Sequence, residues 1–318
     1  MKKVLLIDTM HPSFAECLEA CGIEPVPAYA LRREEVIAAA AQADGLAIRS
    51  RFKLDADFLK AVAGSIRCIG RAGAGMENID VPVAAALGIT CVSAPEGNRD
   101  AVGEHATGML LMLMNHLRRA DQEVRQGIWK REENRGDELE GKTVGIIGFG
   151  HMGSSFARRL AGFGVNIIAF DPYLTIDKNQ WPQVQQVSEE VLLATADVIS
   201  LHVPLTDETR GFINRHWFAR LGKPIRLINT ARGKNIVTAD LVDALENGKV
   251  IGAALDVLEY EAVSFEKIDA SALPAPFQYL IASDKVVLSP HIAGWTHESN
   301  VKIARILAER MAAVLNTI

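Results

Sequence analysis

Short apolar runs alternate with segments of helical period almost throughout this chain, in two series separated by one long helical stretch. Residues 4–7, 45–48 and 68–70 read as strands, and residues 13–21, 32–41 and 55–62 as helices. In the second series 144–148, 166–171, 198–202, 225–229, 250–256 and 286–289 read as strands, with helices over 154–164 and 239–247. Unbroken apolar strands separated by helices specify parallel sheets covered on both faces, which excludes all-helical and all-β architectures. At 318 residues the chain is about twice a typical domain. The expected fold is therefore α/β, with two doubly wound parallel-sheet, Rossmann-like domains. The long helix between the series is expected over residues 100–126, followed by a charged surface excursion over 130–140, and a last helix over 295–315 closes the chain.

Charge and composition narrow the function classes. A net charge of -5 gives no basic field able to hold a nucleic-acid backbone, so nucleic acid is not an expected ligand. Lys2 and Lys3 precede an apolar run as in a secretory signal, but Asp8 ends that run and a first buried strand is the better reading. No stretch has the length of uncharged apolar sequence that a membrane helix needs, and a cytoplasmic protein is expected. Four scattered cysteines (Cys17, Cys21, Cys68, Cys91) make no disulfide framework and no metal site, and are expected as ordinary thiols.

Between the first strand and helix of the second series stand Gly148, Gly150 and Gly153 in G-x-G-x-x-G spacing. The first glycine permits a tight turn, the second lets backbone approach a pyrophosphate, and the third permits close helix-to-strand packing. The phosphates would rest on amides at the helix N-terminus, at His151 and Met152. Eighteen residues beyond Gly153, the next strand ends in Asp171. A carboxylate there accepts from the ribose hydroxyls of NAD and repels a 2′-phosphate, so NAD is the expected cofactor; the plainer role for Asp171 is a turn residue ahead of Pro172.

Polar groups also stand at or beyond the ends of three later strands: Arg232, Asp256 with Glu261, and His291. Ligands bind at the carboxyl ends of strands in open parallel sheets. Hydride exchange with a nicotinamide needs a group to move the alcohol proton, a cation to hold the carbonyl substrate, and a group that tunes the first. His291 suits proton transfer, Glu261 could hydrogen-bond its imidazole, and Arg232 could clamp a planar anion. Taken singly each has a plainer role: a satisfied histidine, a helix-capping arginine, a solvated glutamate.

The sequence resembles the D-isomer-specific 2-hydroxyacid dehydrogenases, and within them the phosphoglycerate dehydrogenase branch, over essentially its whole length. The resemblance is carried by residues 48–51 (IRSR), 70–80 (GRAGAGMENID), 95–98 (PEGN), the glycine turn, 202–206 (HVPLT), 229–233 (NTARG), 252–257 (GAALDV) and 289–294 (SPHIAG). It implies a catalytic set of Arg232, Glu261 and His291, and cofactor contacts that include His202, Val203, Pro204, Thr230, Ala231, Asp256 and Gly294. It further implies substrate contacts at Arg49, Ser50, Arg51, Ala74, Gly75 and Asn98. A cofactor domain over residues 101–292 would be inserted into a substrate domain of 1–100 and 293–318, and the long helix would serve as a linker and homodimer element. The implied reaction joins a D-2-hydroxy acid to its 2-keto acid, with 3-phosphoglycerate and 3-phosphohydroxypyruvate, the first step of serine biosynthesis, as the leading pair.

This chain departs from the family pattern in three places. The stretch 262–285 between Glu261 and His291 is long and lacks the usual proline after the glutamate, so the choice of Glu261 over Glu259 rests on spacing. Val203 replaces a hydroxyl-bearing residue of some relatives. About twenty-seven residues follow His291, so the C-terminal regulatory domain of longer phosphoglycerate dehydrogenases is not expected. Two rivals remain open at this point: a glyoxylate or hydroxypyruvate reductase with the same catalytic trio, and an NAD-sensing corepressor-like interaction module, since fold alone does not fix function.

Overall fold

The computed structural model describes residues 1–261 and 274–317, and the expectation about 262–285 falls partly outside them. The chain forms two compact units, Met1–Arg99 with Trp295–Ile318, and Asp100–Gly294.

In the first unit β1 (Lys2–Leu6), β2 (Ile23–Pro27), β3 (Gly45–Ile48), β4 (Cys68–Arg71) and β5 (Thr90–Ser93) form a parallel sheet in the order β2-β1-β3-β4-β5. Successive side chains of a strand face opposite ways, so Val4 and Leu6 enter one apolar cluster while Leu5 and Ile7 enter another. Helices α1 (Ser13–Ala20), α2 (Arg33–Ala40), α3 (Ala56–Val62) and α4 (Val81–Ala86) make the connections. The last two begin at Asp55 and Asp80, whose carboxylates accept from Phe58 N and Val83 N and satisfy amides the helix leaves open. One face of the sheet is covered by α2, α3 and α4 through Val36, Phe58, Leu59 and Ala84. The other is covered by Phe14 and Leu18 of α1 together with Leu307 and Met311 of the last helix, His297–Thr317. A Cβ on Gly70 would fall 2.2 Å from Met311 Sδ, so the glycine sets how closely that helix approaches.

In the second unit β6 (Thr143–Ile147), β7 (Asn166–Phe170), β8 (Val184–Gln186), β9 (Val198–Leu201), β10 (Ile225–Asn229), β11 (Val250–Leu255) and β12 (Val286–Leu288) lie parallel in the order β12-β11-β10-β9-β6-β7-β8. The helices are α5 (Arg99–Met114), α6 (Leu117–Arg125), α7 (His151–Leu160), α8 (Glu189–Thr195), α9 (Arg215–Ala219), α10 (Thr238–Glu246) and α11 (Ala275–Ala282). The chain leaves β6 toward β7 and β8, then returns to lay β9 on the other side of β6. That reversal opens a crevice beyond the carboxyl ends of β6 and β9, where such sheets hold ligands.

Two expectations are corrected. The helix expected over 100–126 is broken after Met114: His116 adopts a left-handed conformation with φ 51°, and Asp137 N takes the Met114 carbonyl at 2.9 Å. Its first part buries Met109, Leu110 and Leu113, whereas α6 buries no residue, so core packing does not hold the two parts on one axis. The helix expected from 154 begins at His151, directly on the glycine turn. No helix among the described residues is long and apolar enough to cross a membrane.

Candidate active site

The glycine turn is built by contacts only glycine allows. Gly148 leaves β6 at φ 87°, and a Cβ there would stand 2.8 Å from the His202 carbonyl oxygen. A Cβ on Gly153 would fall 2.0 Å from the Gly148 carbonyl oxygen, so α7 could not seat against the strand with any other residue. At Gly150 a Cβ would meet nothing within 4 Å, which leaves open space over the start of α7, beside the exposed His151 and half-buried Met152. Asp171, just past β7, braces this turn: Oδ2 accepts from Phe149 N at 2.8 Å, and Oδ1 from Tyr173 N at 2.9 Å and Leu174 N at 3.2 Å. The turn role is thus realised, and it leaves acceptor capacity on the carboxylate for a ribose hydroxyl.

Other groups around this crevice fit a bound dinucleotide. Thr230 Oγ1, just past β10, is buried with no hydrogen-bond partner, a polar atom that a ligand could satisfy. His202 holds its Nε2 on Ser200 Oγ at 2.8 Å, and burial pushes its pKa down to about 3, so the ring is neutral. Val203 packs against the core and the Pro204 carbonyl accepts from Thr209 Oγ1 at 2.6 Å, which fixes the chain leaving β9. Ala231 N is held by Asn229 Oδ1 at 3.0 Å.

The loops after β10, β11 and β12 carry the polar set. Arg232 donates through Nη1 to the Ala231 carbonyl at 2.7 Å and makes no side-chain cap on the short helical turn that follows it. His291 Nδ1 lies 3.0 Å from Glu261 Oε2, while Glu261 Oε1 accepts from Leu258 N at 2.7 Å. Glu259 turns elsewhere, accepting from Thr238 N at the start of α10, so Glu261 is the one of the two that meets His291. His291 itself is left-handed, with φ 57°, a rare state for a residue with a side chain.

Asp256, for which the resemblance implies a contact near the nicotinamide amide, braces the loop after β12. It is 1% exposed, and its Oδ1 accepts from Ser289 Oγ at 2.6 Å and Ile292 N at 2.8 Å, its Oδ2 from Ala293 N at 2.9 Å. Its carboxylate holds the loop that carries His291 and leads to the half-buried Gly294. Sequence reasoning missed His105 on α5, whose Nε2 stands 3.0 Å from Ser289 Oγ. A histidine within an otherwise apolar helix face was the available signal.

In the first unit Asp8 organises the arginine loop: its Oδ2 accepts from the amides of Arg49, Ser50 and Arg51 at 2.6, 3.1 and 3.3 Å. The Arg49 guanidinium stacks 4.2 Å from the Trp295 ring centroid, and burial lowers its pKa while Asp8 opposes that shift. Arg51, expected at the substrate, donates through Nη1 to the carbonyls of Ile7 at 3.1 Å and Ala28 at 3.3 Å. Ala74 and Gly75 lie half-buried in the loop after β4, and the Oδ1 of Asn98 is buried with no hydrogen-bond partner. No group of three or more metal-ligating side chains occurs among the described residues.

Comparison with known proteins adds an independent line. A family model described as D-isomer specific 2-hydroxyacid dehydrogenase, NAD binding domain, matches residues 107–293. The chain is 36% identical over 307 residues to a D-3-phosphoglycerate dehydrogenase of Archaeoglobus fulgidus, covering 96% of this chain and 56% of that protein. It is 38% identical over 268 residues to the Bacillus subtilis protein of that name, covering 84% of this chain and 49% of the relative. The chain thus spans about half the length of these curated relatives. Among solved structures, the D-lactate dehydrogenase from Aquifex aeolicus complexed with NAD and lactic acid superposes with a TM-score of 0.83 at 26% identity, over 99% of this chain and 96% of that one.

Proposed function

The chain belongs to the D-isomer-specific 2-hydroxyacid dehydrogenases, and from that premise we propose that it interconverts a D-2-hydroxy acid and its 2-keto acid with NAD, the pair being 3-phosphoglycerate and 3-phosphohydroxypyruvate. The observation that carries the reaction type is the His291–Glu261 pair at 3.0 Å, on loops of the unit that bears the glycine turn. The names of the curated relatives support the choice of substrate.

Gly148, Gly150 and Gly153 would hold the pyrophosphate at the start of α7, Thr230 Oγ1 would gain a partner, and Asp171 would take a ribose hydroxyl. When bound, NAD supplies the nicotinamide C4 that gives a hydride to, or takes one from, substrate C2. Glu261 fixes the His291 ring through Nδ1, so Nε2 is the nitrogen that exchanges the proton of the substrate oxygen. The negative charge of Glu261 complements the imidazolium that forms when that proton is taken up. Arg232 clamps the substrate carboxylate by a charge-assisted, bidentate contact and polarises the carbonyl. The first unit, Met1–Arg99 with Trp295–Ile318, is assigned the remaining substrate contacts through Arg49, Ser50 and the backbone at Ala74 and Gly75. The protein is proposed to act in the cytoplasm as a homodimer, with the exposed apolar residues Leu117, Val124 and Trp129 in the contact.

A second reading, a glyoxylate or hydroxypyruvate reductase, is favoured by the engagement of Arg51 with the backbone, which removes one cation from those available to a doubly charged substrate. Rates on phosphohydroxypyruvate, hydroxypyruvate and glyoxylate, each with NADH and NADPH, decide between them. Preference for the phosphorylated acid with NADH is expected. Equal or better turnover of the unphosphorylated acids selects the second reading, and no turnover of any keto acid overturns both.

A further inference from the structure

Outside the residues assigned to the chemistry, a chain of polar side chains runs from α5 to the loop that carries His291. His105 Nε2 lies 3.0 Å from Ser289 Oγ, Ser289 Oγ lies 2.6 Å from Asp256 Oδ1, and His105 Nε2 is itself 3.5 Å from that oxygen. Proton counting fixes the direction of these contacts. The Asp256 carboxylate can only accept, so the single proton of the Ser289 hydroxyl is donated to it. The hydroxyl oxygen must therefore accept from His105, which carries a proton on Nε2.

The carboxylate at the end of this relay holds the catalytic loop in an unusual shape. Its Oδ1 also accepts from Ile292 N and its Oδ2 from Ala293 N, while the Asp256 carbonyl oxygen accepts from His291 N at 2.7 Å. His291 lies between these bonds at φ 57°. A left-handed conformation is uncommon for a residue with a side chain, and persists where its neighbours over-determine it. We propose that His105 is a positioning residue for His291: by fixing the Ser289 hydroxyl on Asp256, it holds residues 291–293 in the conformation that brings the imidazole to Glu261. The inference rests on the dehydrogenase reading for its kinetic consequence, but not for its structural one.

Removing the donor frees the Ser289 hydroxyl to rotate, and a buried carboxylate then loses part of its anchorage. The test compares His105→Leu, His105→Gln and Ser289→Ala by steady-state kinetics with NADH and phosphohydroxypyruvate, by NADH fluorescence titration, and by amide hydrogen exchange at Ile292 and Ala293. The Gln side chain restores an N–H donor. His105→Leu and Ser289→Ala should lower kcat by about 10- to 100-fold through misplacement of His291, with NADH affinity within about threefold of the original protein. Exchange at the two amides should rise by about tenfold in both variants, and His105→Gln should recover most of the rate and the protection. Original kcat and exchange in His105→Leu, or a His105→Gln variant as impaired as His105→Leu, overturns the inference. A protein that reduces no keto acid yet shows the predicted exchange pattern overturns the dehydrogenase reading and leaves the positioning role supported.

Discussion

His291 Nδ1 and Glu261 Oε2 stand 3.0 Å apart, on loops that follow two neighbouring strands, β12 and β11. The glutamate is held in turn by Leu258 N on its other oxygen, so its carboxylate meets the imidazole in one orientation.

Substitution at that pair should separate charge from geometry. His291→Asn is expected to lower kcat by about 10²- to 10⁴-fold, the range for loss of a general acid/base, and Glu261→Gln by a smaller factor because an acceptor remains. Glu259→Gln, at a carboxylate that accepts from Thr238 N at the start of α10, should leave kcat unchanged. Initial rates of NADH oxidation at saturating keto acid check all three.

The glycine turn separates folding from binding. Gly153→Ala places a methyl group 2.0 Å from a backbone oxygen and should lower both thermal stability and NADH affinity, whereas Gly150→Ala meets only open space. The second variant should melt at the original temperature yet bind NADH more weakly. Differential scanning fluorimetry beside NADH fluorescence titration makes the comparison; tight binding by Gly150→Ala counts against that space as the pyrophosphate site.

Neighbouring arginines should behave differently. Arg49→Ala is expected to raise the KM for an anionic keto acid by about tenfold or more, the scale of a lost charge-assisted contact. Arg51→Ala, which loses bonds to the Ile7 and Ala28 carbonyls, should lower the melting temperature and leave KM within about twofold. Reversal of that order would return Arg51 to the substrate.

Acid should weaken the second unit through His202. Its folded pKa is pushed from 6.5 down to about 3 by burial, so between those values the unfolded chain binds a proton that the folded one refuses. The resulting stability is complete above the unfolded value and falls as pH drops through that window, by up to about 1.4 kcal/mol per pH unit. Urea unfolding from pH 7 to 4 should show this slope, and His202→Asn should flatten it.

Thiol reactivity should follow burial. Burial pushes the Cys68 thiol up to about 12, with a further contribution from Cys91, and the Cys91 thiol up to about 11, while Cys21 is exposed. Iodoacetamide at pH 8 followed by peptide mass spectrometry should modify Cys21 readily and spare Cys68 and Cys91 until denaturant is added.

Much of this fold is legible in the amino-acid sequence. The buried central strands announced themselves because both faces are apolar, whereas the edge strands β2, with Pro25 and Pro27, and β8, with Gln185 and Gln186, lack that signal. The break at His116 was hidden because helical period persists on both sides of it, and the interruption comes from Asp137, more than twenty residues away in sequence. The Glu261–His291 pair was anticipated from position at strand ends. The tasks of Arg51, Asp256 and His105 were not, because each is defined by backbone groups or side chains far along the chain that residue type alone does not reveal.

The packing of Met311 and Leu307 against the first sheet sets an order for biogenesis. On the ribosome Val4, Leu6, Phe14 and Leu18 emerge early, but the helix that covers them is translated only after Asp100–Gly294. At about 5–20 residues per second, that sheet face waits roughly 10 to 40 seconds for its cover. The contiguous second unit can close before that sheet face is covered, so the first unit is completed after the second although its strands are translated earlier.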